Sequence, residues 1–266
     1  MVFSEFDDID FQQVLIGSLL GDGSLQRKGF SNPIYSEEHS LSQESYALWK
    51  NQFFNFKISY PTRTDLKRKA NKTYQQICLF SRATPRLLNY YYRHYPSPER
   101  KKVVTREILT KLNPLGIAVW YCDDGSFDYD SNRIILSTDG FSQQENLLIQ
   151  DFFKTKYDIE FKFSGKRIYC DVRNSTKFLH LIRNSIPQCM KYKIGLDEVR
   201  REKSEKRKKE WSKEYNSRLK TKKHKQEYNR KYRIKNREKL LENYRQYYYK
   251  NRERLLQQKK ESWLSK

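Results

Sequence analysis

The chain has 266 residues, enough for one large domain or two small ones, and 15% of them are aromatic. Its formal net charge is +22, and residues 200–266 alone carry 26 Lys and Arg against nine Glu and no Asp. Such a basic surface attracts polyanions, chiefly nucleic acid, because binding releases condensed counterions. The sequence contains no run of about 18 apolar residues, the length needed to span a membrane, so we expect no membrane partner.

The cysteines, the histidines and the N-terminus narrow the class of protein further. The four cysteines and the four histidines are scattered, which argues against a zinc site and against histidine-rich nucleases. Residues 1–11 are acidic and lack the pattern of a secretory signal, so we expect the protein to act where it is made. The Lys-, Tyr- and Asn-rich composition favours an organelle, a mitochondrion or a chloroplast.

Two apolar runs with similar ends predict a pair of equivalent helices. The first run, residues 11–20, ends at Gly-Asp-Gly at positions 21–23. The second, residues 115–122, opens after Asn-Pro at 113–114 and ends at Asp-Asp-Gly at 123–125. The two ends lie 102 positions apart, which indicates an internal duplication.

Each of these helices is followed by the same order of predicted elements. In the first half these are strands at 24–26 and 33–38, a helix capped by Ser40, strands at 57–60 and 74–80, and a helix from Thr84. In the second half they are a strand at 133–137, a helix opened by a Ser142–Glu145 capping box, strands at 160–163 and 167–172, and a helix from Ser175. The sequence therefore predicts an α+β fold of two pseudo-symmetric αββαββα halves, residues 1–113 and 114–197.

The tail, residues 198–266, differs in kind from the two halves. It lacks Pro and Gly, and residues 235–241 return in similar form as residues 250–256. Because this repeat of 15 residues is close to four helical turns, equivalent residues recur on one helix face. That face carries a narrow apolar stripe of Ile234, Leu241, Tyr248 and Leu255. We predict a long basic helix that binds nucleic acid, with a partly disordered tail as the alternative.

The acids at the two helix ends carry the functional signal. A carboxylate in the last turn of a helix faces the negative end of the macrodipole, so Asp22 and Asp124 indicate that a cation binds there. Oxygen ligands suit Mg²⁺. One such helix end can be a mere polar turn, but two in matching contexts favour a site. Small residues spaced by four would let the helices approach closely: Gly17 and Gly21 on the first, Ala118 and Cys122 on the second.

The two motifs resemble the signatures of LAGLIDADG homing endonucleases. The resemblance is strongest to the single-chain, two-motif members encoded within organellar introns, and it runs over about residues 10–196. It is carried by residues 15–23 and 117–126, and by Ser-Ile-Pro-Gln at 185–188 with Met-Lys-Tyr-Lys at 190–193. The basic tail lies outside it.

This resemblance implies a DNA-binding saddle that places β-strands in the major groove and the motif helices at its centre. It also implies that Asp22 and Asp124 bind Mg²⁺, with Gly21 and Asp123 in the same metal site, and that both DNA strands are cut. A basic residue is expected near each scissile phosphate. In the second half this is Lys193, and in the first half it is Lys101 or Lys102.

Cations on the predicted hairpins and polar residues on the strands are candidates for DNA contacts. The hairpin cations are Arg63, Lys67, Arg68, Lys69 and Lys72 in the first half and Lys162, Lys166 and Arg167 in the second. The candidates for contacts with base edges are Gln26, Arg27, Gln75, Gln76 and Arg133.

Three functions follow from these observations. The first is a Mg²⁺-dependent, site-specific endonuclease that acts as a monomer on double-stranded DNA. The second is an intron maturase, which would bind intron RNA on the same fold. The third is a DNA-binding regulator without activity, which the presence of both acids disfavours.

Overall fold

The computed structural model describes residues 8–64, 73–97, 99–217 and 219–264. The predicted hairpin cations Lys67, Arg68, Lys69 and Lys72 lie outside these ranges. Contacts divide the chain into two compact units, Met1–Ser204 and Glu205–Lys266.

The first unit holds two halves in which the same order of elements recurs, as predicted. The first half contains α1 (Ile9–Leu20), β1 (Ser24–Gln26), β2 (Ile34–Ser40), α2 (Glu44–Phe54), β3 (Lys57–Ser59), β4 (Thr62–Thr64), β5 (Thr73–Phe80), α3 (Leu88–His94) and α4 (Arg106–Lys111). The second contains α5 (Pro114–Asp124), β6 (Gly125–Asp128), β7 (Arg133–Ser137), α6 (Gln143–Tyr157), β8 (Phe161–Ser164), β9 (Arg167–Cys170) and α7 (Val172–Ile182). The fold is therefore α+β, as the sequence predicted, and β4 and α4 of the first half are additions to the pattern.

Each half has one antiparallel sheet, and the two sheets have equivalent strand orders. The first runs β1-β2-β5-β3, with β4 also paired to β5, and the second runs β6-β7-β9-β8. In the first sheet Ser24 of β1 pairs with Ser36 of β2, and in the second Ser126 of β6 pairs with Ile135 of β7. The offset of 102 residues between the acids therefore also relates Ser24, the first residue of β1, to Ser126, the second residue of β6.

Side-chain caps explain why α5 and α6 begin where they do. The Asn113 side chain accepts hydrogen bonds from the backbone N–H groups of Leu115 and Gly116, and Pro114 occupies the first helical position. The predicted capping box forms at α6, where the Ser142 hydroxyl accepts from the Glu145 N–H and the Glu145 carboxylate accepts from the Ser142 N–H. Both helix starts are confirmed.

The capping box predicted at Ser40 is wrong. Ser40 still belongs to β2, where it pairs with Gln76, and its hydroxyl lies 2.7 Å from that of Ser42. A short 3₁₀ turn, Leu41–Gln43, follows, and α2 begins at Glu44 without a side-chain cap. The extra turn moves the helix start beyond the reach of Ser40.

The motif helices α1 and α5 pack directly on each other. A Cβ atom added to Gly17 would lie 2.3 Å from the Gly116 carbonyl oxygen, and one added to Gly21 would lie 2.5 Å from the Cβ atom of Asp123. The predicted close approach is therefore confirmed for the glycines of α1. It is wrong for Ala118 and Cys122, because the positions of α5 that meet these glycines are Gly116, Val119 and Asp123. A pseudo-twofold axis brings equivalent positions face to face, and position 21 is equivalent to position 123.

The tail is helical, in three segments: α8 (Glu198–Ser217), α9 (Leu219–Lys235) and α10 (Arg237–Leu264). Of the predicted apolar stripe, Ile234 and Leu241 are exposed and Tyr248 and Leu255 are half-buried. Among the described residues, none of the helices combines the length and the apolar character needed to cross a membrane.

Candidate active site

Asp22 and Asp124 lie where the two motif helices end. The backbone N–H of Gly21 donates to the Gly17 carbonyl and closes α1, so Asp22 follows in the turn with 40% of its side chain exposed. Asp124 is the last residue of α5 and is half-buried. Each acid therefore meets the negative end of a helix dipole, which is unfavourable unless a cation is nearby.

The pKa of Asp124 reflects its burial and the charged groups around it. Burial, together with repulsion from Asp123 and Asp22, raises its pKa to about 7, although Lys102 and Lys193 act in the opposite direction. Asp22 and Asp124 thus interact across the helix pair and share one region of negative potential. A bound cation would relieve this repulsion, and carboxylate oxygens are the ligands that hard divalent ions prefer. The acids at the helix ends therefore fit a divalent metal.

Two lysines occupy equivalent positions at the helix ends. The Lys102 ammonium donates to the carbonyl oxygens of Gly21 at 2.8 Å and Gly23 at 2.9 Å. The Lys193 ammonium donates to the carbonyl oxygens of Cys122 and Asp123. Burial lowers the pKa of both lysines. Each lysine donates to the backbone of its own motif. Of the two motif acids, however, Lys102 is attracted more strongly by Asp124 and Lys193 more strongly by Asp22, so each positive charge acts across the helix pair.

The sequence leaves open whether Lys101 or Lys102 is the basic residue of the first half, and the structure distinguishes between them. Lys102 is half-buried and donates to the carbonyl of Gly21, the position equivalent to Asp123, to which Lys193 donates, whereas Lys101 is exposed. Both line a pocket that also holds Asp124. The geometry favours Lys102 as the counterpart of Lys193.

Asp123 is engaged in a different way from the other two acids. Its side chain is fully buried, and the Lys50 ammonium donates to both of its oxygens, at 2.7 and 2.9 Å. The Tyr46 hydroxyl donates to it at 2.8 Å, and the backbone N–H of Asp22 donates to Oδ2 at 3.3 Å. Asp123 therefore connects α2 to the turn that carries Asp22.

Lys50 also forms an ion pair with Glu37 of β2, and both side chains are fully buried. The Glu37 carboxylate accepts further hydrogen bonds from the Tyr35 hydroxyl at 2.7 Å and from His39 at 3.0 Å. Burial alone would raise the pKa of Glu37, but Lys50 and His39 lower it to about 2. Burial raises the pKa of Asp123 to about 6, against the attraction of Lys50. We call Glu37, His39, Tyr46, Lys50 and Asp123 the buried charge network.

The buried charge network bears on which groups can bind metal. Ligand atoms of Asp22, His39 and Asp123 lie within 4.8 Å of one another, which makes these residues a second candidate cluster. However, both oxygens of Asp123 already accept hydrogen bonds from Lys50, and His39 is bound to Glu37. The metal roles of Asp22, Asp124, Asp123 and Gly21 all stay predictions.

The buried charge network was not predicted from the sequence, and the pseudo-symmetry does not repeat it at the equivalent positions of Glu37 and Asp123. The strand register places Leu136 at the position equivalent to Glu37, and Leu136 is buried in the apolar core. Gly21 stands at the position equivalent to Asp123, so only the second motif needs a buried cation. One sequence signal was present, because Lys50 is spaced by four from Tyr46 and Phe54 on the buried face of α2.

The predicted DNA-contact residues fall into two groups. Three of the arginines already have polar partners: Arg27 donates to the Tyr92 hydroxyl, Arg63 is paired with Glu38, and Arg167 is paired with Asp139. Arg133 and Arg167 line one pocket on the second sheet, together with Tyr169. The remaining candidates within the described ranges are exposed or half-buried: Gln26, Gln75, Gln76, Lys162 and Lys166. Their contacts with DNA stay predictions.

The chain is similar to known proteins in sequence and in fold. The chain is 26% identical over 204 residues to the DNA endonuclease I-ChuI of Chlamydomonas applanata, which covers 69% of this chain and 94% of that protein. It is also 26% identical over 201 residues to the protein RecA of Mycolicibacterium flavescens, of which it spans only 45% of the length. The fold is similar to that of the homing endonuclease I-WcaI bound to its DNA recognition sequence, with a TM-score of 0.61, 20% identity, and coverage of 70% of this chain and 86% of that one.

The profile of the LAGLIDADG DNA endonuclease family matches residues 12–178, which is more than half of the chain. This range includes most of α1, the whole of α5 and both sheets, and it ends before the basic tail. The chain belongs to the LAGLIDADG DNA endonuclease family.

Proposed function

We propose that this protein is a site-specific endonuclease that cuts both strands of duplex DNA with a divalent metal, Mg²⁺. The observation that carries the proposal is the pair of acids at the ends of α1 and α5. Burial raises the pKa of Asp124, and repulsion from Asp123 and Asp22 adds to this effect and brings the pKa to about 7. Membership of a DNA endonuclease family supports the proposal independently.

In this proposal Asp22 and Asp124 hold the metal, which when bound activates water and stabilises the departing oxygen. Lys102 and Lys193 hold the carbonyl groups beside the acids in place through the hydrogen bonds described above. Their ammonium groups also lower the local negative potential, which favours the approach of a phosphodiester. The sheets supply base and phosphate contacts through Gln26, Arg63, Gln75, Arg133 and Lys166.

The test uses a plasmid that carries the gene flanking this reading frame, with any intervening sequence removed. The full chain with Mg²⁺ should convert the plasmid to linear DNA with ends at one position, and EDTA should prevent this. Cuts at scattered positions, or no linear product with Mg²⁺, would oppose the proposal.

The maturase alternative is not favoured by the relatives, because the chain matches a protein named as a DNA endonuclease over 94% of that protein's length. The monomeric state follows in our proposal from the presence of both motifs in one chain. Action in an organelle stays a prediction from the sequence alone.

A further inference from the structure

The second unit, residues 205–266, carries an excess of positive charge that its own acids cannot neutralise. It contains 23 Lys and Arg but only eight Asp and Glu, a net charge of +15. Even if every acid formed an ion pair, 15 cations would remain without a carboxylate partner. This charge lies beyond residue 178, where the family match ends.

The helices of the second unit leave their side chains largely accessible to solvent. In residues 205–217 and 222–258 every side chain is exposed or half-buried. Ion pairs within the helices, such as those of Lys231 with Glu227 and Arg245 with Glu242, are exposed and join residues three or four apart. Such pairs stabilise a helix by only a few tenths of a kcal/mol each. Because a helix that is polar on all sides gains little from packing, an external partner is the natural source of its stability.

The type of partner follows from charge and from the exposed tyrosines. Tyr228, Tyr232 and Tyr244 are exposed among the cations, and the rings of Tyr228 and Tyr232 stack at 6.3 Å. Tyrosine hydroxyls, lysines and arginines are all donors to phosphate oxygens in protein–DNA complexes. A second copy of the chain is a poorer occupant, because two units of +15 repel each other.

We propose that residues 205–264 form a second DNA-binding element, which holds duplex DNA through its phosphates without reading the sequence. This element binds DNA whether or not the motif acids cut it. Its effect is to raise the affinity for any duplex and to make that affinity strongly dependent on salt.

The test keeps the full chain and removes charge from one face of α9. Lys222, Lys223, Arg230 and Arg233 lie on that face, and all four are exposed. One variant changes all four to Gln, whose helix propensity is close to that of Lys and Arg. The matched control exchanges the two basic types at the same positions (Lys222→Arg, Lys223→Arg, Arg230→Lys, Arg233→Lys) and so preserves the charge.

The measurement is the affinity for a duplex of unrelated sequence at several salt concentrations, with helix content followed by circular dichroism. The Gln variant should bind at least tenfold more weakly, and the slope of log K against log salt should fall by about 0.9 for each lost phosphate contact. The exchange control should keep the affinity and slope of the wild type.

Three outcomes would overturn the proposal. The first is an unchanged slope in the Gln variant, and the second is an equal loss in the exchange control, which would make charge irrelevant. The third is a wild-type chain that prefers single-stranded RNA of equal length over the duplex. An Asp22→Asn variant should keep the wild-type slope, so failure of this proposal is distinguishable from failure of the proposed cleavage.

Discussion

Replacing Lys50 with methionine removes the ammonium group that lies between two buried carboxylates. Lys50, Glu37 and Asp123 all have fully buried side chains, and Lys50 donates to both acids. Loss of one partner from a buried ion pair costs about 3–5 kcal/mol, because the remaining charge has neither water nor a counterion. Here two acids lose the same partner, so we expect a loss in the upper part of this range.

A loss of that size is large for a unit of about 200 residues. At about 2–4 °C per kcal/mol, the melting temperature should fall by roughly 10 °C or more. The free energy of unfolding would be measured by urea denaturation and by thermal melting. Lys57→Met is the matched control, since Lys57 is exposed at the start of β3 and a surface change costs within about 0.5 kcal/mol.

Two further measurements test the role of Lys50: the pH dependence of the stability loss, and a variant in which the two buried acids are neutralised as well. Lys50 keeps Glu37 ionised, with a pKa of about 2, and this contribution is present above the ordinary pKa of a carboxyl group and is lost as pH falls towards 2. The difference between wild type and Lys50→Met should therefore be largest near neutral pH and shrink in acid. Adding Glu37→Gln and Asp123→Asn to Lys50→Met should recover most of the stability, because no charge then remains buried. A Lys50→Met protein as stable as the Lys57→Met control at pH 7 would refute the reasoning.

Three further predictions concern the helix ends. Without metal, Asp124→Asn should be more stable than wild type at pH 8, by up to about 4 kcal/mol, and equally stable near pH 4. The reason is that the pKa of Asp124 in the folded protein is raised to about 7, so the stability of the wild type falls as pH rises from about 4 to 7. Denaturation at several pH values would measure this difference. Gly21→Ala should lower the free energy of unfolding by about 1–3 kcal/mol, because the Cβ atom of the new alanine would lie 2.5 Å from the Cβ atom of Asp123. Gly140→Ala is the control and should leave the free energy of unfolding unchanged, because its Cβ atom would meet no heavy atom within 4 Å. Lys102→Met and Lys193→Met should each slow cleavage roughly 100-fold at an unchanged DNA dissociation constant, and equal loss of binding and cleavage would contradict a role beside the scissile phosphates.

The parts of the fold that depend on local sequence were predictable. The helix ends at residues 21 and 124 follow from glycine and from the apolar runs, and the starts of α5 and α6 follow from Asn113 and Ser142. The failure at Ser40 has a local cause as well, because pairing with Gln76 extends β2 through the predicted cap. Sequence patterns do not show how far a strand will pair.

The buried charge network was not predictable in the same way. Glu37 and Lys50 are in different elements of the first half, and Asp123 belongs to the second half, so their contact exists only in the folded unit. With Asp22 aligned on Asp124, Gly17 and Gly21 match positions 119 and 123, one position away from Ala118 and Cys122. In the structure Asp123 therefore faces Gly21, and its carboxylate accepts hydrogen bonds from Lys50.

In our proposal Asp22 and Asp124 form one metal-dependent site that cuts both DNA strands. The most direct measurement is the yield of linear product from a plasmid with one target site, with Mg²⁺, for the wild type, Asp22→Asn and Asp124→Asn. Each variant should bind the target as the wild type does and give no linear product. Linear product from either variant at the wild-type rate would show that the paired acids do not carry the reaction.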